Sequence, residues 1–386
     1  MSLLDDTKAI LADLIAFPTV SADSNLELIA YCAAMLDALG ARTDLTLDPG
    51  GQKANLFASL GPYIDGGIVL AGHTDVVPVA DQDWSTDPFQ AMERGGLIYS
   101  RGACDMKGFP ACALALAPRL AEAELTRPVH FAFTYDEETG CLGAPVMLSS
   151  LADSGRRPGI CIIGEPTEMR IVEGHKGCNE YTTRFTGLAG RGSQPDLGVS
   201  AVEYAVRYVG RLLELREALK RLAPADSRFD PPWSTLQVGR FHGGIAANVI
   251  ADPCEVEWGF RPVVERDTDF IKGEMSAYVE GTLLPAMRAV HPEATVETEV
   301  IGEVVGFQPM PDSEAAALVA ELTGGNDREV VSFGTEAGLY QRPGMSAEIC
   351  VPGSITQAHK ADEFAAVEQL ELCLAMLGKL AAKLER

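Results

Sequence analysis

Gly72-His73-Thr74-Asp75-Val76-Val77 follows the apolar run Ile68-Val69-Leu70-Ala71, so an imidazole and a carboxylate, two residues apart, sit where a buried strand runs into a loop. In an α/β sheet the carboxyl ends of strands are where ligands bind. A His-x-Asp at such an end serves either as a local turn cap or as part of a metal site, and what else arrives there decides between them. Four later stretches bring more of the same chemistry. Asp105 lies in the glycine-punctuated turn 101–108, ahead of an Ala/Leu-rich helix, and Glu137 and Glu138 follow the apolar run 128–135. Glu165 follows the run 159–164, and His359 stands just before the last helical pattern.

Carboxylates gathered at one sheet end repel each other and lose hydration, so they are stable together chiefly around a cation. Two imidazoles with several carboxylates, and no thiolate among them, suit zinc or a neighbouring divalent ion. If one carboxylate bridges, a pair of ions can clamp a hydrolytic transition state. Asp136-Glu137-Glu138 has two readings: a solvated acidic loop, or a metal ligand beside a general base.

The elements that would position these groups alternate. Helical patterns at 3–16 and 24–39 precede strands near 42–47, 55–60 and 68–72. Residues 77–96, rich in Asp and Pro, read as a long loop. A helix to about 120, a strand at 128–135, a helix at 140–151 and a strand at 159–164 complete the first half. This alternation predicts a mixed, largely parallel sheet with helices on both faces. After Gly174 the pattern becomes two-residue alternation at 178–187, then a helix at 198–216, strands at 234–241 and 252–262, and a helix near 267–285. That order predicts an inserted α+β, ferredoxin-like domain. The expected division is a catalytic domain at 1–175 and 289–386 around an insertion at 176–288. A strand at 295–300, a helix at 314–323 and a closing helix from Asp362 are expected to resume the first domain.

With 386 residues and 47% apolar composition, the chain has length enough for two or three domains and a sizeable core. Thirty-one basic against 55 acidic residues leave a formal charge of -24, which argues against nucleic acid as a partner. No leader-like segment and no membrane-length apolar run is evident, so the expected location is the cytoplasm. Nine scattered cysteines without C-x-x-C spacing read as reduced and structural.

Six motifs in order resemble the two-zinc M20 metallopeptidase and deacylase family. They are Gly-His-Thr-Asp-Val-Val (72–77), Arg-Gly-Ala-Cys-Asp-Met-Lys-Gly (101–108), Asp-Glu-Glu-Thr-Gly (136–140), Gly-Glu-Pro-Thr (164–167), Gly-Thr-Glu-Ala-Gly (334–338) and Pro-Gly-Ser-Ile with Ala-His-Lys (352–360). The resemblance implies two divalent ions, Zn2+ or alternatively Co2+. His73 and Glu165 would hold one, Glu138 and His359 the other, and Asp105 would bridge. Glu137 would be the general base, and Asp75 would orient His73. Hydrolysis of an N-acyl amino acid is implied, N2-acetyl-L-ornithine first, with a related deacylase, dipeptidase or carboxypeptidase reaction, or a weakly active metal-binding homologue, as alternatives. The family further implies a homodimer through the insertion, and substrate contacts from Asn248, Arg261, Thr335 and Ser354. Two departures stand out. Arg191, in Gly190-Arg191-Gly192-Ser193, occupies the place of a family histidine that steadies the oxyanion, and it either replaces that function, grips a substrate carboxylate, or weakens the reaction. Val351 replaces a usual glycine and is expected at the pocket rim.

Overall fold

Three neighbouring strands, Val129–Thr134, Ile68–His73 and Ile160–Pro166, run parallel and are buried along their whole length. Helices on both faces leave no solvent side, which is why these segments read as unbroken apolar runs. A computed structural model of the chain describes residues 2–386, and contacts divide them into two units. Unit 1 extends to Gly174 and takes in Pro309–Glu329 and Thr335–Arg386; unit 2 is His175–Gln308 with Val330–Gly334.

The central sheet has eight strands in the order Arg42–Leu47, Ala54–Leu60, Val129–Thr134, Ile68–His73, Ile160–Pro166, Ser346–Val351, Ile171–His175, Arg328–Val331. Its heart is parallel and its first hairpin antiparallel. One face packs on helices Leu3–Ala16, Leu26–Asp37, Gly108–Glu122 and Val367–Leu384, where Leu14, Leu36, Phe109 and Leu377 meet Leu56, Leu70, Phe131 and Ile162. The alternate residues Phe57, Val69, Ala132 and Ile163 turn to the other face, against Gly143–Asp153 and Ala337–Gln341. Helix starts follow their caps: Ser2 and Asp5 form a capping box, and Ser313 accepts from the Ala316 amide.

In unit 2, Thr235–Gly243, Cys254–Arg261, Cys178–Thr186 and Thr295–Val304 form an antiparallel sheet in that order. Helices Ala201–Arg221, which contributes Tyr208, and Glu265–Tyr278 cover one face over Tyr181, Phe185, Trp258 and Phe260. The opposite face carries Glu180, Arg184, Glu255 and Glu257, as the alternation requires.

The mixed, helix-covered sheet and the separate antiparallel sheet agree with the expected fold class. Details differ where pairing is decided at long range. Thr295–Val304, expected with the resumed α/β pattern, instead lies along Cys178–Thr186. Ile171–His175 and Ser346–Val351 are strands that the sequence pattern did not mark. The closing helix begins at Val367 rather than Asp362, because Phe364–Ala366 pairs with Leu97–Tyr99. Val351 is not at a rim; it is fully buried in the core, and its amide donates to Thr167 Oγ1. All nine cysteines are free, and eight are buried. Among the described residues no helix is long and apolar enough to cross a membrane.

Candidate metal centre

Strand register brings the first donors together. His73 pairs with Thr134 and Ala71 with Ile163, so Glu165, two residues beyond Ile163, comes level with His73. Beyond Thr134 the chain bends at Asp136, whose φ is 53°, and the next two residues leave the strand direction. The Asp75 carboxylate secures that bend: the amides of Glu137 and Glu138 donate to Oδ1 and Oδ2 at 3.0 and 3.3 Å, and Ser21 Oγ donates to Oδ2 at 2.7 Å. His73 Nδ1 donates to the Asp75 backbone carbonyl at 2.9 Å, closer than the 3.6 Å to its carboxylate. This contact selects the tautomer that would present the Nε2 lone pair to a cation. Nε2 lies 3.2 Å from Asp105 Oδ1 and 3.7 Å from Glu165 Oε1. Asp75 therefore acts on three neighbours, through its main chain on His73 and through its side chain on both glutamates.

Asp105 is delivered by the irregular turn Ala103–Lys107 that opens helix Gly108–Glu122. The next side chain, Met106, wedges between two strands. A Cβ on Gly72 would lie 2.7 Å from its Cε and one on Gly164 only 1.7 Å, so the glycines preceding His73 and Glu165 are the space that Met106 fills. Glu363 ties the turn from the other side. Its Oε1 accepts from the amides of Cys104 and Asp105 at 2.9 and 3.0 Å, and its Oε2 from Arg101 at 2.6 Å. Arg101 also donates to the Lys360 carbonyl and to Gln82, whose Nε2 donates to the His359 carbonyl at 2.9 Å. His359 is thereby held over the same carboxylate: its Nε2 is 3.3 Å from Asp105 Oδ2 and 3.0 Å from Glu138 Oε2. Asp105 faces one imidazole with each oxygen.

Burial pushes the carboxyls of Glu137, Glu138 and Glu165 up, and neighbouring carboxylates push them further. Burial works to lower His73, yet Asp105 and Asp75 carry it well above its ordinary value. Hydrogen bonds to Asp105 and Glu138 raise His359 to about 10. Burial works to raise Asp105, but the two histidines hold it below the usual carboxylate range. The raised values of the glutamates and histidines express one condition: without a cation, protons must offset the crowded negative charge. Glu138 Oε1 is also buried without a partner. Two overlapping donor sets, His73 with Glu137 and Glu165, and His73 with Asp105 and Glu138, each gather within 4.8 Å. This donor set fits a binuclear divalent centre.

Glu336 adds a further buried carboxylate, held by Thr134 Oγ1 at 3.0 Å, with its Oε1 unpartnered and burial raising it to about 7. Thr335 is buried in the same turn, its Oγ1 accepting from the Ala337 amide, and Ser354 Oγ meets Thr356 Oγ1. In unit 2, Arg191 pairs with Val249, and the Gly192 amide donates to the Asn248 carbonyl, which makes Arg191 and Asn248 neighbours on an exposed ladder. Arg261 lies apart from them, on the rim of an open depression of about 680 Å³ on the sheet. Met106, Arg101 and Glu363 support the site, although their residue types and spacing did not mark them. Arg101 and Met106 sit inside the quoted 101–108 motif, while Glu363 looked like an ordinary acidic helix start.

A family model described as Peptidase family M20/M25/M40 matches residues 69–383. Acetylornithine deacetylase of Shigella sonnei (strain Ss046) is 35% identical over 358 residues, 91% of this chain and 90% of that protein. Among solved structures, an M20 family metallo-carboxypeptidase from Sulfolobus solfataricus aligns with a TM-score of 0.75 at 17% identity, covering 98% of this chain and 99% of that one. A tripeptidase from Staphylococcus aureus aligns with a TM-score of 0.71 at 19% identity, with the same coverage. These two likenesses concern the fold.

Proposed function

The chain belongs to the M20/M25/M40 peptidase family, and on that premise we propose that it hydrolyses the amide of an N-acylated amino acid, N2-acetyl-L-ornithine to L-ornithine and acetate being the first candidate. It is a metal-dependent amidohydrolase closely related to acetylornithine deacetylase. The observation that carries the substrate is the 35% identity to a protein of that name across nine-tenths of both chains.

In this reading His73, Glu165 and Asp105 would hold one ion, and Glu138, His359 and Asp105 the second, with zinc as the first choice and cobalt as the alternative. When bound, the ions supply Lewis acidity and make water acidic enough to attack near neutral pH. Glu137 takes the proton of the attacking water and passes it to the departing amine. Its raised affinity for protons, from burial and the neighbouring carboxylates, suits a base that must return what it takes. Asp75 positions Glu137 and Glu138 through their amides and His73 through its own carbonyl. Arg261, Asn248, Thr335 and Ser354 are assigned to substrate binding. A homodimer through unit 2 belongs to the same reading; the open outer side of the edge strand Thr295–Val304, with Val300 and Ile301 half exposed, supports it. So does a cytoplasmic location, which suits the nine free cysteines.

Arg191 is the specific reason to keep an altered preference open. A guanidinium suits either an oxyanion or a second substrate carboxylate. The test is a hydrolysis screen of zinc- and cobalt-loaded protein over N-acyl amino acids and dipeptides, with Glu137→Ala as the blank. Turnover of N2-acetyl-L-ornithine above the blank, exceeding that of acylated acidic amino acids, is expected. Faster turnover of the acidic substrates, reversed by Arg191→His, would establish the second reading. No turnover above the blank on any substrate rejects both.

A further inference from the structure

The amino ends of the central strands, remote along the sheet from the donor set, carry a second concentration of chemistry. A cleft there is lined by Arg42 at the start of the first strand, Tyr63 and Asp65 in the loop before Ile68–His73, His130, and Arg156 and Arg157 after helix Gly143–Asp153. Its volume of about 80 Å³ admits one small ion with some water. Cations are scarce in this chain, 31 against 55 acidic residues, and many arginines meet carboxylates, as Arg170 meets Glu329 and Arg184 meets Glu255. Here three guanidinium groups from two distant segments converge. Among the described residues only Arg156 of the three has an acidic partner, Asp44 at 2.6 Å. Arg42 and Arg157 donate to backbone carbonyls alone, those of Gly61 and Arg156. Counting Asp44 and the rim carboxylate Asp65, one positive charge is left over.

The floor is built rather than incidental. His130 is 6% exposed, and its ring stacks on Phe57 at 5.0 Å. Arg156 lies 5.2 Å from the centre of the same Phe57 ring, and Arg42 lies 5.3 Å from that of Tyr63. These contacts hold two of the three guanidinium groups in place before any ligand arrives. His130 Nδ1 shares a hydrogen bond with Ser59 Oγ at 2.8 Å, while its Nε2 has no hydrogen-bond partner among the described residues. We propose that this cleft is a binding site for a compact oxyanion: phosphate, either free or as the phosphoryl group of a small metabolite. Planar guanidinium forks match the oxygens of such an ion, and the unmatched charge of the cleft supplies the attraction. Burial, with help from Arg156 and Arg42, holds His130 down to about 4. An anion that offsets those arginines relieves the restraint, so His130 reports on occupancy.

The test follows the imidazole resonances of the zinc-loaded protein, six histidines in all, during titration with inorganic phosphate and, separately, glycerol 3-phosphate. Loss of one signal in His130→Gln assigns the reporter. Saturable movement of the His130 signal is expected, with a midpoint raised about tenfold in Arg157→Gln or Arg42→Gln, the loss of one charge-assisted hydrogen bond. Phosphate reaching the metal centre would move His73 and His359 instead, and equally in both variants. Tighter binding of the phosphomonoester identifies a phosphorylated metabolite as the ligand; equal or weaker binding identifies free phosphate. A stationary His130 signal, one moved as much by chloride at equal ionic strength, or one unaffected by either substitution overturns the proposal.

Discussion

Asp105 stands between two imidazoles, with Oδ1 3.2 Å from His73 and Oδ2 3.3 Å from His359, so both halves of the donor set depend on a single side chain. Glu137 differs in kind. It gathers with His73 and Glu165, yet its Oε1 accepts only a weak donor, Cys141 Sγ at 3.5 Å, which leaves the carboxylate available for proton transfer. Glu137→Ala is expected to lower kcat by about 10²- to 10⁴-fold while the protein still retains two zinc ions per chain, measured by elemental analysis beside the activity assay. Loss of zinc in that variant would make Glu137 a ligand instead. Residue types and spacing marked these donors as candidates, because crowded carboxylates with histidines are stable chiefly around a cation. A solvated acidic loop stayed open for 136–138, and the separate roles of Asp105 and Glu137 came from the family resemblance. The partner of the His73 ring was not legible in the sequence. Whether a carbonyl or a carboxylate of the same residue takes Nδ1–H depends on the path of the loop after the strand.

At the scale of elements, the site is assembled by three parallel strand ends, one irregular helix start and one loop near the C-terminus. Glu363 joins the last two, spending one oxygen on the amides of Cys104 and Asp105 and the other on Arg101. Both members of this ion pair are about 99% buried, so removing one leaves the other uncompensated. Glu363→Ala is expected to weaken zinc binding about 10- to 100-fold in competition with a chromophoric chelator. Glu363→Gln should fall between it and the parent, since the amide oxygen still accepts from the turn. Unchanged zinc affinity in both variants would show that the turn holds itself. Helix starts and the buried strands were readable from caps and apolar runs, but Glu363 was not readable as a support. Its partners lie about 260 positions away in sequence, and no local pattern encodes them.

For the molecule as a whole, the donor set makes stability depend on metal and pH together. Glu137, Glu138 and Glu165 bind protons more tightly when folded than as free carboxyls, and His73 and His359 more tightly than free imidazoles. The metal-free folded state therefore holds more protons than the unfolded chain above the ordinary carboxylate range, and its stability falls as pH rises. Asp105 has the opposite sign, but its contribution is lost only in acid, below its ordinary range. Divalent ions displace those protons and bind better as pH rises. The gap in Tm between zinc-loaded and chelated protein should thus widen from about pH 5 to about pH 8, as read by calorimetry. A gap that stays constant or narrows would contradict the electrostatic account of the site.

Sequence by itself determined the chemistry and the class of scaffold. Apolar runs ending in His73, Glu137-Glu138 and Glu165 mark parallel strand ends, because a strand covered on both faces has no polar side to show. Alternation at 178–187 marks a half-exposed sheet for the converse reason. Tertiary structure alone decided which strands pair and what braces the donors. Thr295–Val304 alternates weakly enough to suit either sheet, and only its register along Cys178–Thr186 assigns it. Met106 fills the space left by Gly72 and Gly164, and Glu363 reaches Asp105 across the fold. Such contacts are absent from local sequence because they arise between segments whose proximity is itself a product of folding.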